Sequence, residues 1–196
     1  MRKLALIISA CTLAAFASAA RAQQIDLAVG GSSLFSSRPI SASQAYPPPA
    51  EKGGLYPSVS AEVVFKNRLG LSAELAYRDK QGFYNGYQRF RPVLYDVNAV
   101  FAPRLSPKMR ADFMAGAGGE SLVFYNQFAS CNFASCPTNV SSTHLLAHLG
   151  GGVRYYFWRH FFVRPEAHYY FVINNSQFHS DSVLRLGASI GYTIGP

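Results

Sequence analysis

Residues 161–171, FFVRPEAHYYF, place Arg164, Glu166 and His168 at alternate positions, against Phe161, Val163, Ala167 and Tyr169 on the other set. A strand has a side-chain period of two, so one face of this stretch is charged and the other apolar. Three arrangements account for such a face. It belongs to a catalytic cluster, to a soluble strand with one wet side, or to a barrel strand with lipid outside and polar groups within. The rest of the chain decides among them.

The same alternation recurs seven times. Strands are predicted over about 24–34, 55–66, 69–79, 91–102, 108–123, 143–157 and 183–194, with 161–171 as the seventh of eight. In the first, Ile25, Leu27 and Val29 oppose Asp26, Ala28 and Gly30; in the last, Leu186, Ala188, Ile190 and Tyr192 oppose Arg185, Gly187, Ser189 and Thr193. The connectors alternate in length. Short turns (KNR at 66–68, PRLSP at 103–107, WRH at 158–160) follow strands two, four and six, and long polar segments follow strands one, three, five and seven. Sorting of this kind is the asymmetry of outer-membrane barrels, with long loops outside and both termini on the periplasmic side. Aromatic residues gather at the strand ends in two groups: Phe65, Phe101, Phe157, Trp158, Phe161 and Tyr192 at one end, Tyr77, Tyr95, Tyr169 and Phe171 nearer the other. Two such belts are expected where rings meet lipid headgroups. The expectation is an all-β fold: a closed, antiparallel, eight-stranded transmembrane β-barrel with up-and-down topology.

Residues 1–22 stand apart. Arg2 and Lys3, an apolar run and Ala20-Arg21-Ala22 read as a secretory signal peptide, which leaves 23–196 as one barrel domain in the outer membrane. Of the 18 Lys and Arg residues, three fall in this leader, so 15 remain against 10 Asp and Glu. They are scattered among turns and alternate positions rather than gathered on one face, so no nucleic acid is expected as a partner. Cys131 and Cys136, in CNFASC, form an even pair in an exported chain and are expected to join in a small disulfide-closed loop.

Eight strands enclose a tube narrow enough for side chains to fill. The charges at inward positions are Asp26, Glu62, Glu74, Arg78, Asp96, Arg110, Asp112, Arg154, Arg164, Glu166 and Arg185, joined by His148 and His168. Both signs occur, so a paired lumenal network is expected rather than isolated charges, with Gly116, Gly150, Gly152 and Gly187 making room for the long Arg side chains. Such a network plugs the tube. Pro165 has no N–H to give to a ladder, so a bulge or a locally missing hydrogen bond is expected in the seventh strand.

The leader, the sorted connectors, stretches such as FRPVLYDVNAVFAPRL (90–105) and the final strand RLGASIGY (185–192) resemble the small eight-stranded outer-membrane β-barrel proteins of the OmpA/OmpX and opacity type. The resemblance spans essentially all of 23–196 in pattern. It departs at the end, where TIGP stands in place of a terminal aromatic. It implies outer-membrane lipid as surroundings, the barrel-assembly machinery as a partner of the C-terminal strand, and no cofactor or metal. It implies no activity, since such proteins include adhesins, structural proteins and a few enzymes. The reading is a non-enzymatic structural or surface-interaction protein, with an extracellular ligand met through loops such as SSRPISASQAYPPPAEKGG (36–54). The alternative is a lipid-modifying acyl hydrolase or transferase drawing on His144, His148, His168 or His179 with Ser141, Ser142, Ser180 and Glu166.

Overall fold

The wall is made of long strands that alternate between two environments. The computed structural model describes residues 24–36, 51–65, 68–84, 88–125, 139–175, 178 and 181–195. Its strands are β1 (Gln24–Ser36), β2 (Tyr56–Val64), β3 (Leu69–Tyr77), β4 (Gly82–Tyr84), β5 (Gln88–Phe101), β6 (Arg104–Ser106), β7 (Met109–Tyr125), β8 (Asn139–Trp158), β9 (Phe161–Val172) and β10 (Ser182–Ile194). Each of the eight long strands pairs antiparallel with its chain neighbours, and β1 also pairs with β10, from Ile25 opposite Ile194 to Ser36 opposite Val183. The sheet therefore closes into an eight-stranded up-and-down barrel. The short β4 and β6 only extend the hairpins beside β5 and β7.

Facing follows the alternation. Along β9 exposed and buried residues alternate without interruption from Phe161 to Val172, and β3 does the same from Leu69 to Tyr77. Leu27, Val29, Val59, Leu71, Val97, Phe113, Leu149 and Ile190 all point outward and exposed. An apolar surface that encircles a protein is not what a water-soluble monomer shows, where such patches are small. The polar residues are inside.

At Pro165 the register holds. Ala188 lies opposite Pro165 on β10, with no shift on either side. On the β8 side, pairing stops after Gly152–Glu166 and resumes at Tyr155–Val163, leaving Val153 and Arg154 unpaired with Pro165 and Arg164. Of the two expected outcomes, the missing local bond is the one adopted, and no side chain beyond it changes face. The irregularity in this ladder comes later, between Tyr156 and Trp158 at the turn.

Several strands run past their sequence-predicted ends on the long-loop side: β5 starts at Gln88, β7 continues to Tyr125 and β8 begins at Asn139. With 20 residues, β8 is about twice the roughly 9–11 residues a tilted strand needs to cross an apolar layer. The extra length of β7 and β8 is a paired hairpin, Tyr125 opposite Asn139, standing above the apolar band.

Candidate functional site

The lumen is layered. At the short-turn end, Arg154 on β8 is fully buried and reaches three strands: its Nε donates to Asp112 Oδ2 at 2.6 Å, its Nη2 to Glu62 Oε1 at 2.6 Å, and its Nη1 to Asp26. Asp26 also accepts from Gln24 Nε2 and from Thr193 Oγ1. Arg154 lies over the Phe162 ring, 5.2 Å from its centroid. One guanidinium thus ties β1, β2 and β7 to β8.

The next layer belongs to β9. Arg164 Nε donates to Glu166 Oε2 at 2.7 Å, and its Nη1 lies 3.5 Å from Glu62 and 3.9 Å from Asp112. Ser189 Oγ adds a bond to Glu166. Further along, Arg185 Nη2 donates to Glu74 and packs over Tyr170.

Between these layers sits a polar wire. Asn98 Nδ2 donates to Asp96 Oδ1 at 2.5 Å, which turns its Oδ1 toward His148 Nδ1 at 2.6 Å. His148 Nδ1 must then carry the proton, so its Nε2 accepts from His168 Nδ1 at 3.0 Å. His168 Nε2 faces Glu166 Oε1 at 3.6 Å. The two rings stack, and Tyr170 stacks on His148 in turn. Glu74, Glu166 and His168 bring one ligand atom each within 4.8 Å of one another. Arg185 and Arg164 already neutralise those two carboxylates, so a cation entering there would meet two positive charges.

Above the polar layers most of the buried side chains are apolar. Leu34, Tyr56, Ala76, Leu94, Leu146, Tyr170, Val172 and Val183 form one buried cluster, and Phe90, Leu122, Phe124 and Phe178 form another, with Tyr84 against it.

The structure brings Asp26, Glu62, Asp112, Arg154, Arg164, Glu166, His168, Glu74, Arg185, His148 and Asp96 into this one lumenal assembly. Two residues assigned to the network by parity stand outside its ion pairs. Arg78, at the long-loop mouth, packs over Phe90 at 5.6 Å, and Arg110, at the short-turn mouth, donates only to Gln24 Oε1 at 2.6 Å. Each sits at a strand end and makes no ion pair within 4.0 Å among the described residues. Three of the four glycines serve partners other than those expected. A Cβ on Gly150 would stand 2.8 Å from His148 Nε2 and 3.1 Å from His168 Nδ1, and one on Gly152 would stand 3.1 Å from the Arg164 side chain. Of the four, only Gly152 makes room for an Arg; Gly116 abuts Asn98 and Gly187 abuts Ser32.

Sequence reasoning missed Glu51 and Glu120, both fully buried. Glu120 was accessible to it, being in step with Arg110 and Asp112 on β7. Glu51 comes from a connector, where no periodicity exists to place it. Among the described residues the serine and histidine candidates do not assemble into a triad. Ser142 Oγ lies 3.0 Å from His144 Nε2, but no carboxylate comes within 4.0 Å of the His144 ring among the described residues. Glu120, its cross-strand neighbour, accepts from Asn175. His148 and His168 are sealed inside, where no substrate reaches. His179, Ser180, Cys131, Cys136 and residues 1–22, expected as a leader, lie outside the described residues.

A closed eight-stranded barrel, apolar outside and ion-paired inside, is the architecture of the small outer-membrane β-barrels. The chain matches no family model and no curated relative. Among solved structures it is similar to Ail, the attachment invasion locus protein of Yersinia pestis, in complex with the heparin analogue sucrose octasulfate, at 15% identity. That match covers 87% of this chain and 98% of that one, with a TM-score of 0.59. It is also similar to Neisserial surface protein A, at 10% identity over 88% and 96% of the two chains and a TM-score of 0.57. The N-terminal β-barrel domain of Pseudomonas aeruginosa OprF matches at 12% identity over 88% and 98%, with a TM-score of 0.56. At such identities the shared property is the fold.

Proposed function

We propose that the protein is an integral outer-membrane β-barrel with a plugged lumen, exported behind a cleaved leader, whose role is structural or one of contact at the cell surface. The observation that carries this reading is the inversion of the barrel: lipid-compatible side chains outside, buried ion pairs within. In lipid every backbone polar group needs an internal partner, and a sheet closed by β1 and β10 supplies one. The polar layers are capped by the apolar clusters, so the reading includes no open water channel; wide pores need about 16–18 strands. The long β7–β8 hairpin supplies surface for an extracellular ligand.

Two experiments test this. The protein should fractionate with the outer membrane and run faster on a gel before heating than after, and protease should reach the long loops on intact cells. Recovery in the soluble fraction without a heat-dependent shift would overturn the reading. In planar bilayers no steady conductance is expected.

A further inference from the structure

The charges are sorted along the barrel axis in a way the paired lumen does not explain. All ten acidic residues of the chain lie among the described residues, and none stands at the short-turn rim. Asp26, Glu62 and Asp112, the acids placed deepest toward that end, are committed to Arg154. The rim itself carries Arg68, Arg104, Lys108, Arg110 and Arg159, and none of them forms an ion pair among the described residues.

Basic residues of this rim line a cavity. Arg104, Arg110, Arg159 and His160, with Gln24 and Tyr156, line a space of about 150 Å³ at the short-turn mouth. That is roughly ten times what one water needs. Gln24 Oε1 holds Arg110 in place through its Nη1, while Arg110 Nε is buried with no hydrogen-bond partner among the described residues.

Backbone geometry adds an independent observation. Arg159, first of the two residues in the β8–β9 turn, has φ of 35°, and Arg68 in the β2–β3 turn has φ of 64°. Left-handed turn positions favour Gly or Asn. Here both hold Arg, a strained choice that is understood if the guanidinium has work at this rim.

We propose that this mouth is a binding site for phosphate groups, and that in the outer membrane it takes the phosphate of a phospholipid headgroup of the inner leaflet. Guanidinium forks match phosphate oxygens through paired N–H donors, and among the described residues no carboxylate lines the site to compete with the ligand. The lipid source follows from position. Trp158, Phe157, Phe161 and Tyr192 are exposed on the outer wall beside the same turn, the level at which rings meet headgroups. The lipid assignment rests on the outer-membrane reading given above; the phosphate chemistry does not.

Trp158, the chain's single tryptophan, adjoins Arg159 and reports binding by fluorescence. The folded protein in non-ionic micelles is titrated with inorganic phosphate, with dihexanoyl phosphatidylglycerol and with dihexanoylglycerol, which lacks the phosphate. Saturable binding of the first two and none of the third is expected. Arg110→Gln and Arg159→Gly should each weaken it about tenfold. Arg159→Gly should melt no lower than wild type, because it relieves the left-handed residue, so lost binding there is not lost folding. Lys80→Gln and Arg89→Gln, at the opposite mouth, should leave it unchanged. Binding of phosphate alone keeps the site and assigns its source to solution. Binding of neither probe, equal losses in the opposite-mouth variants, or undiminished lipid binding by Arg159→Gly would overturn the proposal.

Discussion

Arg154→Met removes the one cation that three carboxylates share while keeping a long side chain in place. The loss follows from the contacts. Three charge-assisted bonds disappear, each worth about 1.5–3 kcal/mol net, so roughly 4.5–9 kcal/mol is the ceiling. The survivors reduce it. Asp26 keeps Gln24 and Thr193 as donors, and Glu62 and Asp112 retain Arg164 at 3.5 and 3.9 Å. The cost should therefore fall near the usual figure for breaking a buried pair from one side, about 3–5 kcal/mol. Unfolding by urea in micelles measures it. With a slope of about 1–3 kcal/mol per molar, the midpoint should drop by roughly 1–5 M. The diagnostic is rescue: Glu62→Gln and Asp112→Asn added to Arg154→Met remove the stranded charges and should recover part of the loss. A cost below about 1 kcal/mol, or strictly additive costs in the combined variant, would refute the claim that these groups act as one network.

Ala167 faces outward on β9, so Ala167→Arg should cost about 2–4 kcal/mol near mid-membrane, and Ala167→Leu under about 0.5 kcal/mol; the heat-dependent gel shift of refolded variants compares them. Glu51, in the connector ahead of β2, has its pKa raised well above 4.5, foremost by burial and then by the facing Glu120, against the pull of Arg78. A carboxyl whose folded value exceeds its unfolded one stabilises fully in acid, and that contribution is lost as pH climbs from about 4.5 through the raised value. Wild type should thus lose more thermal stability than Glu51→Gln between about pH 4 and 8, and parallel curves would contradict this. Cys131 and Cys136 should resist thiol labelling under denaturing, non-reducing conditions; labelling of both would reject their pairing.

Much of the architecture was legible because a two-environment wall writes its geometry into every second residue. Arg164, Glu166 and His168 needed only parity to be placed inside. Other features left no such trace. The outer end of β8, NVSS at 139–142, is polar apart from Val140, so it offers no alternating greasy face for a pattern to register. The histidine contact depends on His148 and His168 meeting across Gly150, which joins two strands through register rather than composition. Glu51 is carried inward by its connector. Pro165 was visible as a problem, but which of two solutions it adopts depends on the β10 ladder holding it in register.

The pairing of β1 with β10 bears on the order in which the molecule can be made. Every other ladder of the wall joins strands that are neighbours in the chain, so each can form as soon as its second strand is available. The β1–β10 seam joins the two ends of the barrel across the largest separation the wall contains, through small residues: Ala28 opposite Gly191, Gly30 opposite Ser189, Gly31 opposite Ala188 and Ser32 opposite Gly187. Contacts of that separation form late, because the closure entropy of the intervening chain must be met before they contribute. Until then the growing sheet has two open edges, each able to pair with another chain. Loss of 182–194 would leave β1 and β9 as those edges permanently, so the last strand alone converts an aggregation-prone ribbon into a sheet with no edge.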